Sequence, residues 1–409
     1  MVPHISSTSC IYRVPQNLRD IDQKAYTPKV VSIGPFHYGG KDFEVVQTQK
    51  GQFLKSFVSR RLGSTLSEYL QSLRLIEGTI RERYAERIEL ESDEFIKMIL
   101  LDGCFILEFL LRRMPEATII LEDTISHNNW WSNAIRSDLI LLENQLPFIV
   151  LDTLYQGHLN QGDDFKPLNE LIYNFFSHML SERERVFDAE RIPIKDSFHL
   201  LDFVRNLYIP EPINPQNAQQ IQNRPQLELP PNVTELCKRG VKLRVGIGRR
   251  LLDITFGNGV LTIPCVYMRD RTVSLFRNMI AFEELHSLKS KYITDYAIIL
   301  NSFIDNSEDV ALLCKKGIIR RFLGKHEQVS QLFKKLMREA TIDTRSFCFP
   351  EIGEELNAYC RNTWHSWIAN LGHTYCKTQW TVISVIGAFF VIFFAAIQAI
   401  LAIRSAIVS

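Results

Sequence analysis

The chain has 409 residues, of which 47 are lysine or arginine and 46 are aspartate or glutamate. Because the net charge is near zero, the protein as a whole has no positive electrostatic potential that would attract nucleic acid or an acidic substrate. Its eight cysteines are scattered without a Cys-x-x-Cys pair, a usage that favours a reducing compartment over a disulfide framework. The length allows one large domain or two ordinary ones with a sizeable core.

The N-terminal part of the chain is predicted to be extended and rich in turns. Residues 1–15 contain no apolar signal-peptide region, so we expect no cleaved leader. His37 lies in YTPKVVSIGPFHYGG (26–40), which carries two prolines and three glycines. A histidine in such a loop is a candidate general base, and the alternative is a histidine that is exposed or hydrogen-bonded locally.

Two helices are predicted next. Residues 65–91 place apolar side chains near a period of 3.6, which predicts one long amphipathic helix. Ser92, followed by two acids, is predicted to cap the following helix. That helix includes FIKMILLDGCFILEFLLRR (95–113), which is apolar nearly all round, and we therefore place it at the centre of the fold.

Three adjacent polar residues, Glu143, Asn144 and Gln145, interrupt the apolar run SDLILLENQLPFIVLDTLY (137–155). Three buried polar side chains are costly unless each has a partner. Pro147 disfavours a helical residue before it and suits the first turn of a helix, so one helix should end near Asn144 and another should begin at the proline. The favoured explanation is a structural joint whose free backbone groups need side-chain partners; a polar site or partner contact is the alternative.

Four acidic residues interrupt predicted apolar helices. Asp102 and Glu108 are six residues apart, and Asp138 and Glu143 are five apart, so neither pair shares one face of a helix. An acid–base pair would have to form between helices, and hydrogen bonds to neighbouring helix ends are the simpler explanation. Asp102 and His37 are retained as candidates for a polar site or partner contact, together with the trio described above.

The middle of the chain changes character twice. Residues 209–232 contain six prolines and five glutamines, which predicts a flexible loop. Short alternations follow and predict a small antiparallel β unit over about residues 240–269, with a hairpin at Gly257–Gly259. Helical periodicity then returns and continues toward the C-terminus.

A basic stretch overlaps the start of the β unit. Residues 238–250 carry six cations and no acid. The simplest explanation is the solvated face of short strands, and the alternative is contact with anionic lipid headgroups. Nucleic acid is disfavoured because no aromatic side chains are interleaved. The six residues are Lys238, Arg239, Lys242, Arg244, Arg249 and Arg250.

No motif for catalysis, a cofactor or a metal emerges from the sequence. The one Glu-x-x-His pair is Glu283 with His286, whereas a di-metal site in a helical bundle needs two such motifs. Neither a G-x-S-x-G elbow nor a phosphate-binding P-loop occurs. We therefore predict no catalytic, cofactor-binding or metal-binding residues.

The segment 381–403 contains no charge and one amide. Its 23 residues would form a helix about 34 Å long, enough to cross the hydrocarbon core of a bilayer. Trp380 and Lys377 before it and Arg404 after it fit interfacial anchors. We therefore predict a C-terminal transmembrane tail anchor, with residues 1–378 in the cytosol; a buried globular helix is the alternative.

Several long motifs resemble one plant family. AYTPKVVSIGPFHYG, ILLDGCFILEFL, DLILLENQLPFIVLDTLY and FRNMIAFEEL occur in this order, followed by the apolar C-terminal segment. Together they closely resemble the family named domain of unknown function 247, the UPF0481-type membrane-anchored plant proteins. The resemblance runs from about Ile11 to the last residue. It departs at VVQTQKGQF (45–53), where relatives carry an acidic-plus-histidine pattern before a lysine.

The resemblance implies a land-plant protein that is largely helical and membrane-anchored, without established enzymatic activity or known catalytic residues. Some members of the family are similar to determinants of pollen self-incompatibility in grasses, and others are tied to floral sex determination. The match therefore identifies a family and not a reaction.

Together these observations predict a mainly α fold with a small antiparallel β unit and one C-terminal transmembrane helix. We expect a recognition, signalling or scaffold protein at the plasma membrane or an endomembrane, with reproduction as one setting. It would act through contact with an unidentified protein partner, without a cofactor and without nucleic acid. The alternative is an enzyme whose polar site is assembled from the helical core.

Overall fold

The protein is mainly helical, with two small sheets. The structure is a computed structural model that describes residues 8–40, 43–61, 65–114, 125, 128–158, 166–179, 197–209, 228–247, 250–286, 288, 290–320, 324–338, 340–343, 347–362, 387–388 and 390–400.

Helices follow one another along most of the described chain. The first half contains α1 (Gln16–Arg19), α2 (Glu44–Arg60), α3 (Leu66–Leu75), α4 (Glu77–Glu82), α5 (Ser92–Arg112), α6 (Asn129–Asp138), α7 (Phe148–His158), α8 (Leu168–Phe176) and α9 (Leu200–Tyr208). The second half contains α10 (Val233–Lys238), α11 (Asp270–Leu285), α12 (Tyr292–Phe303), α13 (Ser307–Lys315), α14 (His326–Met337) and α15 (Pro350–Arg361).

Helix α5 lies at the centre of the first half, as its sequence predicts. Side chains are buried on all of its faces, and it packs against α2, α3, α7 and α8. The rings of Phe53 on α2 and Phe105 on α5 lie 5.0 Å apart in this core. The predicted cap is wrong by one residue: Glu91 occupies the N-cap position, without a capping bond from its side chain, and Ser92 is the first residue of the helix. The hydroxyl of Ser92 donates to Glu77 at 2.6 Å instead.

The single long helix predicted over 65–91 is wrong. The chain forms the two shorter helices α3 and α4, and residues 83–91 form a loop. It leaves the helical path because Tyr84 pairs with Ile11 in a parallel β-bridge. Such pairing with a distant part of the chain does not alter the apolar period, so the pattern predicted too long a helix.

The larger sheet has three strands, β1 (Lys242–Gly246), β2 (Thr255–Gly257) and β3 (Val260–Pro264), in the order β1-β3-β2. Strands β2 and β3 form the predicted hairpin. Its two turn residues, Asn258 and Gly259, both have positive φ, 50° and 71°, as a two-residue hairpin turn requires.

The predicted β unit is not purely antiparallel. Strand β1 pairs with β3 in parallel, which aligns the buried Leu243 with the buried Leu261, so the sheet is mixed. A second sheet was not predicted: β4 (Val266–Tyr267) pairs in parallel with β5 (Ile319–Arg320). Strands of two residues carry too short an apolar pattern to be recognised in a sequence.

The transmembrane helix predicted over 381–403 is not supported. Within the described parts of the chain, no helix is both long and apolar enough to cross a membrane. In that segment the structure describes helical residues at 387–388 and 390–400. Residues 381–386, 389 and 401–403 lie outside the described residues.

Most of the predicted Pro/Gln loop, residues 210–227, also lies outside the described residues. At the end of this stretch, Asn232 is the N-cap of α10, and its side chain accepts a hydrogen bond from the amide of Glu235 at 2.9 Å. Asparagine is among the best N-cap residues, so the cap accounts for the start of this short helix.

Candidate functional site

A buried linker joins helices α6 and α7. Residues 139–147 belong to neither helix, so the predicted joint is longer than expected, and α6 ends before Leu139 rather than near Asn144. The polar trio Glu143, Asn144 and Gln145 lies in this linker, and each of the three residues is only 1% exposed. Each must therefore have partners within the protein.

Asn144 is hydrogen-bonded to the backbone through both of its amide atoms. Its Oδ1 accepts from the amide of Ile33 at 2.7 Å, and its Nδ2 donates to the carbonyls of Val31 and Asp138, both at 3.0 Å. Asn144 therefore joins the N-terminal part of the chain to the end of α6.

Gln145 holds the linker itself in shape. Its Nε2 donates to the carbonyls of Leu139 and Leu141 at 2.7 and 2.8 Å. Its Oε1 accepts from the amide of Leu201, in the first turn of α9, at 3.2 Å. These bonds satisfy carbonyls that follow the end of α6 and an amide that begins another helix.

Glu143 bonds to two N-terminal elements. Its Oε1 accepts from the amide of Val14 at 2.5 Å, while its Oε2 accepts from Arg19 and lies 3.2 Å from Nε2 of His37. Burial raises the pKa of Glu143, but the interactions with His37, Val14 and Arg19 outweigh burial and leave that pKa lowered. Glu143 is therefore held as a carboxylate.

Asp138, the last residue of α6, accepts from three consecutive backbone amides. Its carboxylate lies 3.0, 2.7 and 3.0 Å from the amides of Lys29, Val30 and Val31. Burial nevertheless raises the pKa of Asp138 to about 6, because three amide donors only partly replace bulk water.

Asp102, on α5, completes the set. It accepts from the amide of Gly34 at 2.8 Å and from Lys50 at 2.5 Å, and Lys50 also donates to the carbonyl of Ser32 at 2.5 Å. Burial raises the pKa of Asp102, although Lys50 acts in the opposite direction.

The three side chains of Asp138, Asn144 and Asp102 thus bind one stretch of backbone, residues 29–34, which we call the threaded segment. Five of its six backbone amides donate to these side-chain oxygens, whereas the amides of a strand in a sheet donate to the backbone of a neighbouring strand. Polar side chains of α5, of the end of α6 and of the linker therefore hold this segment.

The threaded segment continues into an exposed aromatic loop, residues 35–40. Gly34 begins the loop at φ 71°, and a Cβ on it would lie 2.7 Å from the carbonyl oxygen of Gln145, so glycine is required there. Phe36 packs edge-on against the ring of Tyr84 at 5.6 Å. Tyr38 is exposed, and His37 is half-buried above Glu143.

A surface groove runs beside the aromatic loop. Its cavity volume is about 860 Å³, and its lining consists of Ser9 and residues of the 81–92 stretch, including Tyr84, the contact partner of Phe36. The volume lies within the range of ligand-binding clefts, about 300–1,000 Å³. The sequence did not reveal this groove, because the prediction placed residues 83–91 in a helix.

Arg81 shapes the wall of the groove. Its guanidinium donates to the carbonyls of Ile88 and Leu90 at 2.9 and 2.8 Å, and to the carboxylate of Glu77 at 2.8 Å. It also lies 4.0 Å above the ring centre of Phe95. The planar fork of arginine can make these bonds together, which fixes the path of the loop after α4.

The predicted Glu-x-x-His pair, Glu283 and His286, has separate partners in the structure. Glu283 accepts from Arg205 at 2.7 Å and from Thr294 through both its amide and its hydroxyl, at 2.8 and 2.7 Å. Its sequence neighbour His286 lies 2.8 Å from the hydroxyl of Tyr12, so the two do not form a shared site. In the residues that the structure describes, no group of three or more metal-ligating side chains is found.

The predicted basic patch is only partly retained. Lys238, Lys242 and Arg244 are exposed on α10 and β1. Arg239 pairs with Glu235 at 2.5 Å, and Arg250 donates to the carbonyl of Ile209 at 3.2 Å. The sixth residue, Arg249, lies outside the described residues.

The chain is similar to plant proteins of unknown function over almost its whole length. The family described as DUF247, plant protein of unknown function, matches residues 11–394. The UPF0481 protein At3g47200 of Arabidopsis thaliana is 30% identical over 97% of this chain and 86% of that protein. A second UPF0481 protein of Arabidopsis thaliana, At3g02645, is 20% identical over 96% of this chain and 89% of that protein. No solved structure matches.

Proposed function

Since the chain belongs to the plant family of proteins of unknown function DUF247, as its motifs predicted, we propose that it is a recognition or scaffold protein that acts by protein–protein contact. The observation that carries the proposal is the aromatic loop. The loop exposes Tyr38, with the half-buried Phe36 and His37 beside it, on a base formed by buried side chains.

The buried side chains beneath the aromatic loop support recognition because they order the loop before a partner binds. Asp102 accepts from the amide of Gly34, and Glu143 contacts His37, so the start and the middle of the aromatic loop are held by groups that are themselves buried. Aromatic side chains dominate the binding energy of many protein interfaces, and an ordered loop loses little entropy on binding.

The state of the buried acids also favours contact over chemistry. A general acid or base must exchange a proton with a substrate that lies within hydrogen-bond reach. Asp102 and Glu143 instead accept from backbone amides and from the cations Lys50 and Arg19. Their bonding capacity is used within the fold, which supports a structural role for them beneath a binding loop.

Site-specific photo-crosslinking tests the proposal. A photoreactive amino acid would replace Tyr38, which is 38% exposed, in the full chain expressed in pollen and in vegetative tissue of a plant. Leu66, which is 45% exposed, serves as the matched control position. We expect defined adducts from position 38 that are missing from position 66. Equal adduct patterns at both positions, or none at position 38 in either tissue, would contradict the proposal.

A further inference from the structure

We propose that the groove beside the aromatic loop binds an extended basic segment of a partner protein, with an apolar side chain of that segment against the groove floor. This inference rests on the proposed function and adds the chemistry of the partner. It follows from three properties of the groove: a fixed wall, an excess of free carboxylates and an apolar floor.

The wall of the groove is fixed by the N-terminal chain as well as by Arg81. The amides of Cys10 and Ile11 both donate to the carbonyl of Arg83 at 2.9 Å, and the amide of Ala85 donates back to Ile11 at 2.9 Å. The hydroxyl of Tyr84 donates to the carbonyl of Gln145 at 3.1 Å. The groove is therefore preformed, and binding requires little ordering of this wall.

The charges that line the groove are predominantly negative. Three exposed carboxylates, Glu82, Glu89 and Glu91, form no ion pair within the described part of the chain. One exposed cation of the lining, Arg87, is likewise unpaired among the described residues. A fourth acid, Glu86, is neutralised by Arg13 at 3.0 Å. The free charge that remains is acidic, which complements lysine or arginine on a partner.

Part of the groove lining is apolar, and we call this part the floor. Ala85, Ile88 and Leu90 line it, and each is half-buried, so each leaves some apolar surface in contact with water. An apolar anchor in a partially enclosed pocket with a charged rim is the usual arrangement of an interface hot spot. A segment with both features, cations for the rim and one aliphatic side chain for the floor, fits better than a purely ionic ligand.

The test uses the full chain and three labelled synthetic peptides of ten residues. One alternates lysine with leucine, the second replaces each lysine by glutamate, and the third replaces each leucine by serine. We expect fluorescence anisotropy to show binding of the lysine–leucine peptide, weaker binding of the lysine–serine peptide and none of the glutamate peptide. Binding of the lysine and glutamate peptides to the same extent would overturn the proposal.

Charge reversal provides the matched comparison. The double variant Glu82→Lys/Glu89→Lys should bind the lysine–leucine peptide about tenfold more weakly at low salt, since two attractive charges become repulsive. The control variant Glu354→Lys/Glu355→Lys alters two exposed acids on α15 and should bind within about twofold of the unmodified chain. Equal losses in both variants would overturn the proposal.

Crosslinking from position 38 separates this inference from the proposed function. If a defined partner is captured there and Glu82→Lys/Glu89→Lys abolishes the capture, the groove is part of the interface. If the capture is unchanged, the groove proposal is overturned while the recognition function stands. If position 38 captures nothing specific, the recognition function fails, whatever the peptides show.

Discussion

Lys50 and Asp102 form an ion pair inside the protein: Nζ lies 2.5 Å from Oδ1, and neither side chain is more than 2% exposed. The same two residues bind the carbonyl of Ser32 and the amide of Gly34. Removing one partner of a buried pair leaves an uncompensated charge, which is more harmful than the absence of the pair. This pair therefore makes the threaded segment sensitive to a single change far from it in sequence.

We predict that Lys50→Met lowers the free energy of unfolding by about 3–5 kcal/mol, because Asp102 is left buried without its cation. Urea denaturation of the full chain would measure the change. Arg74→Ala is the control, because it breaks a pair with Asp93 that is more than half exposed and should cost less than about 1 kcal/mol. A loss for Lys50→Met no larger than that of the control would refute the prediction.

Asn144→Ala and Gln145→Ala should each destabilise the protein by about 1–3 kcal/mol, because each leaves buried backbone groups unpaired. Thermal and chemical denaturation would measure both variants. Gln156→Ala removes an exposed amide on α7 and should change stability by less than about 0.5 kcal/mol. An unchanged melting temperature for either buried variant would mean that the linker residues are not structural, and would make them the first candidates for a binding site.

His199 predicts a pH dependence. Its Nε2 lies 3.0 Å from the carbonyl of Cys10 and therefore donates, while its Nδ1 accepts from the amide of Asp202 at 3.2 Å. Burial lowers the pKa of His199 from 6.5 to about 3. Between these values the unfolded chain binds a proton that the native protein does not bind. The contribution of His199 is therefore present above pH 6.5 and is lost as the pH falls toward 3.

The variant His199→Asn tests this dependence: His199 is the N-cap residue of α9, and asparagine is a good N-cap that does not titrate. From pH 6.5 to pH 5, the stability of the unmodified protein relative to the variant should fall by about 2 kcal/mol, at about 1.4 kcal/mol per pH unit. Urea titrations at four pH values would give both curves. Parallel curves would show that His199 does not resist protonation in the native state.

Arg81→Lys should loosen the groove wall while the charge is retained. Lysine cannot donate at once to Glu77, Ile88 and Leu90 as the guanidinium does, so we expect a loss of about 1–3 kcal/mol. Hydrogen exchange at residues 85–91 should become faster than in the unmodified chain. Arg87→Lys is the control, because this exposed arginine has no recorded partner within the described residues. Equal exchange in both variants would contradict a role for Arg81 in the wall.

The sequence pattern correctly predicted elements that local sequence alone determines. Helix α5 is apolar on all faces and was placed correctly at the centre, and the Asn258–Gly259 turn requires a backbone conformation that few other residue pairs adopt. The helix over 65–91 was wrong, and the antiparallel unit was right only in its hairpin, because the rest depends on pairing between separated segments, Tyr84 with Ile11 and β1 with β3. The apolar C-terminal segment predicted a transmembrane helix, and no helix among the described residues is both long and apolar enough to cross a membrane.

The candidate site was predictable in its composition and not in its partners. The apolar context showed that Glu143, Asn144 and Gln145 need internal partners, and Pro147 showed that a helix begins just after them, although the preceding helix ends earlier than predicted. The identity of the partner was not accessible, because a backbone amide leaves no trace in the side-chain pattern. Arg81 was missed for the same reason: two of its three acceptors are main-chain carbonyls.

The long-range hydrogen bonds of the N-terminal residues also affect how the chain folds during its synthesis. Asp138 and Asn144 are more than 100 residues away from the amides that they accept from, and Asn278 donates to the carbonyl of Ala25 at 2.8 Å across 253 positions. At roughly 5–20 residues per second, a ribosome needs on the order of 12–50 seconds to synthesise that intervening length. Residues 8–40 bond first to residues 50–102, then to Asp138, Glu143 and Asn144, and to Asn278 only at the end of this interval, so this part of the chain completes its native contacts late and chaperone dependence is expected in the cell.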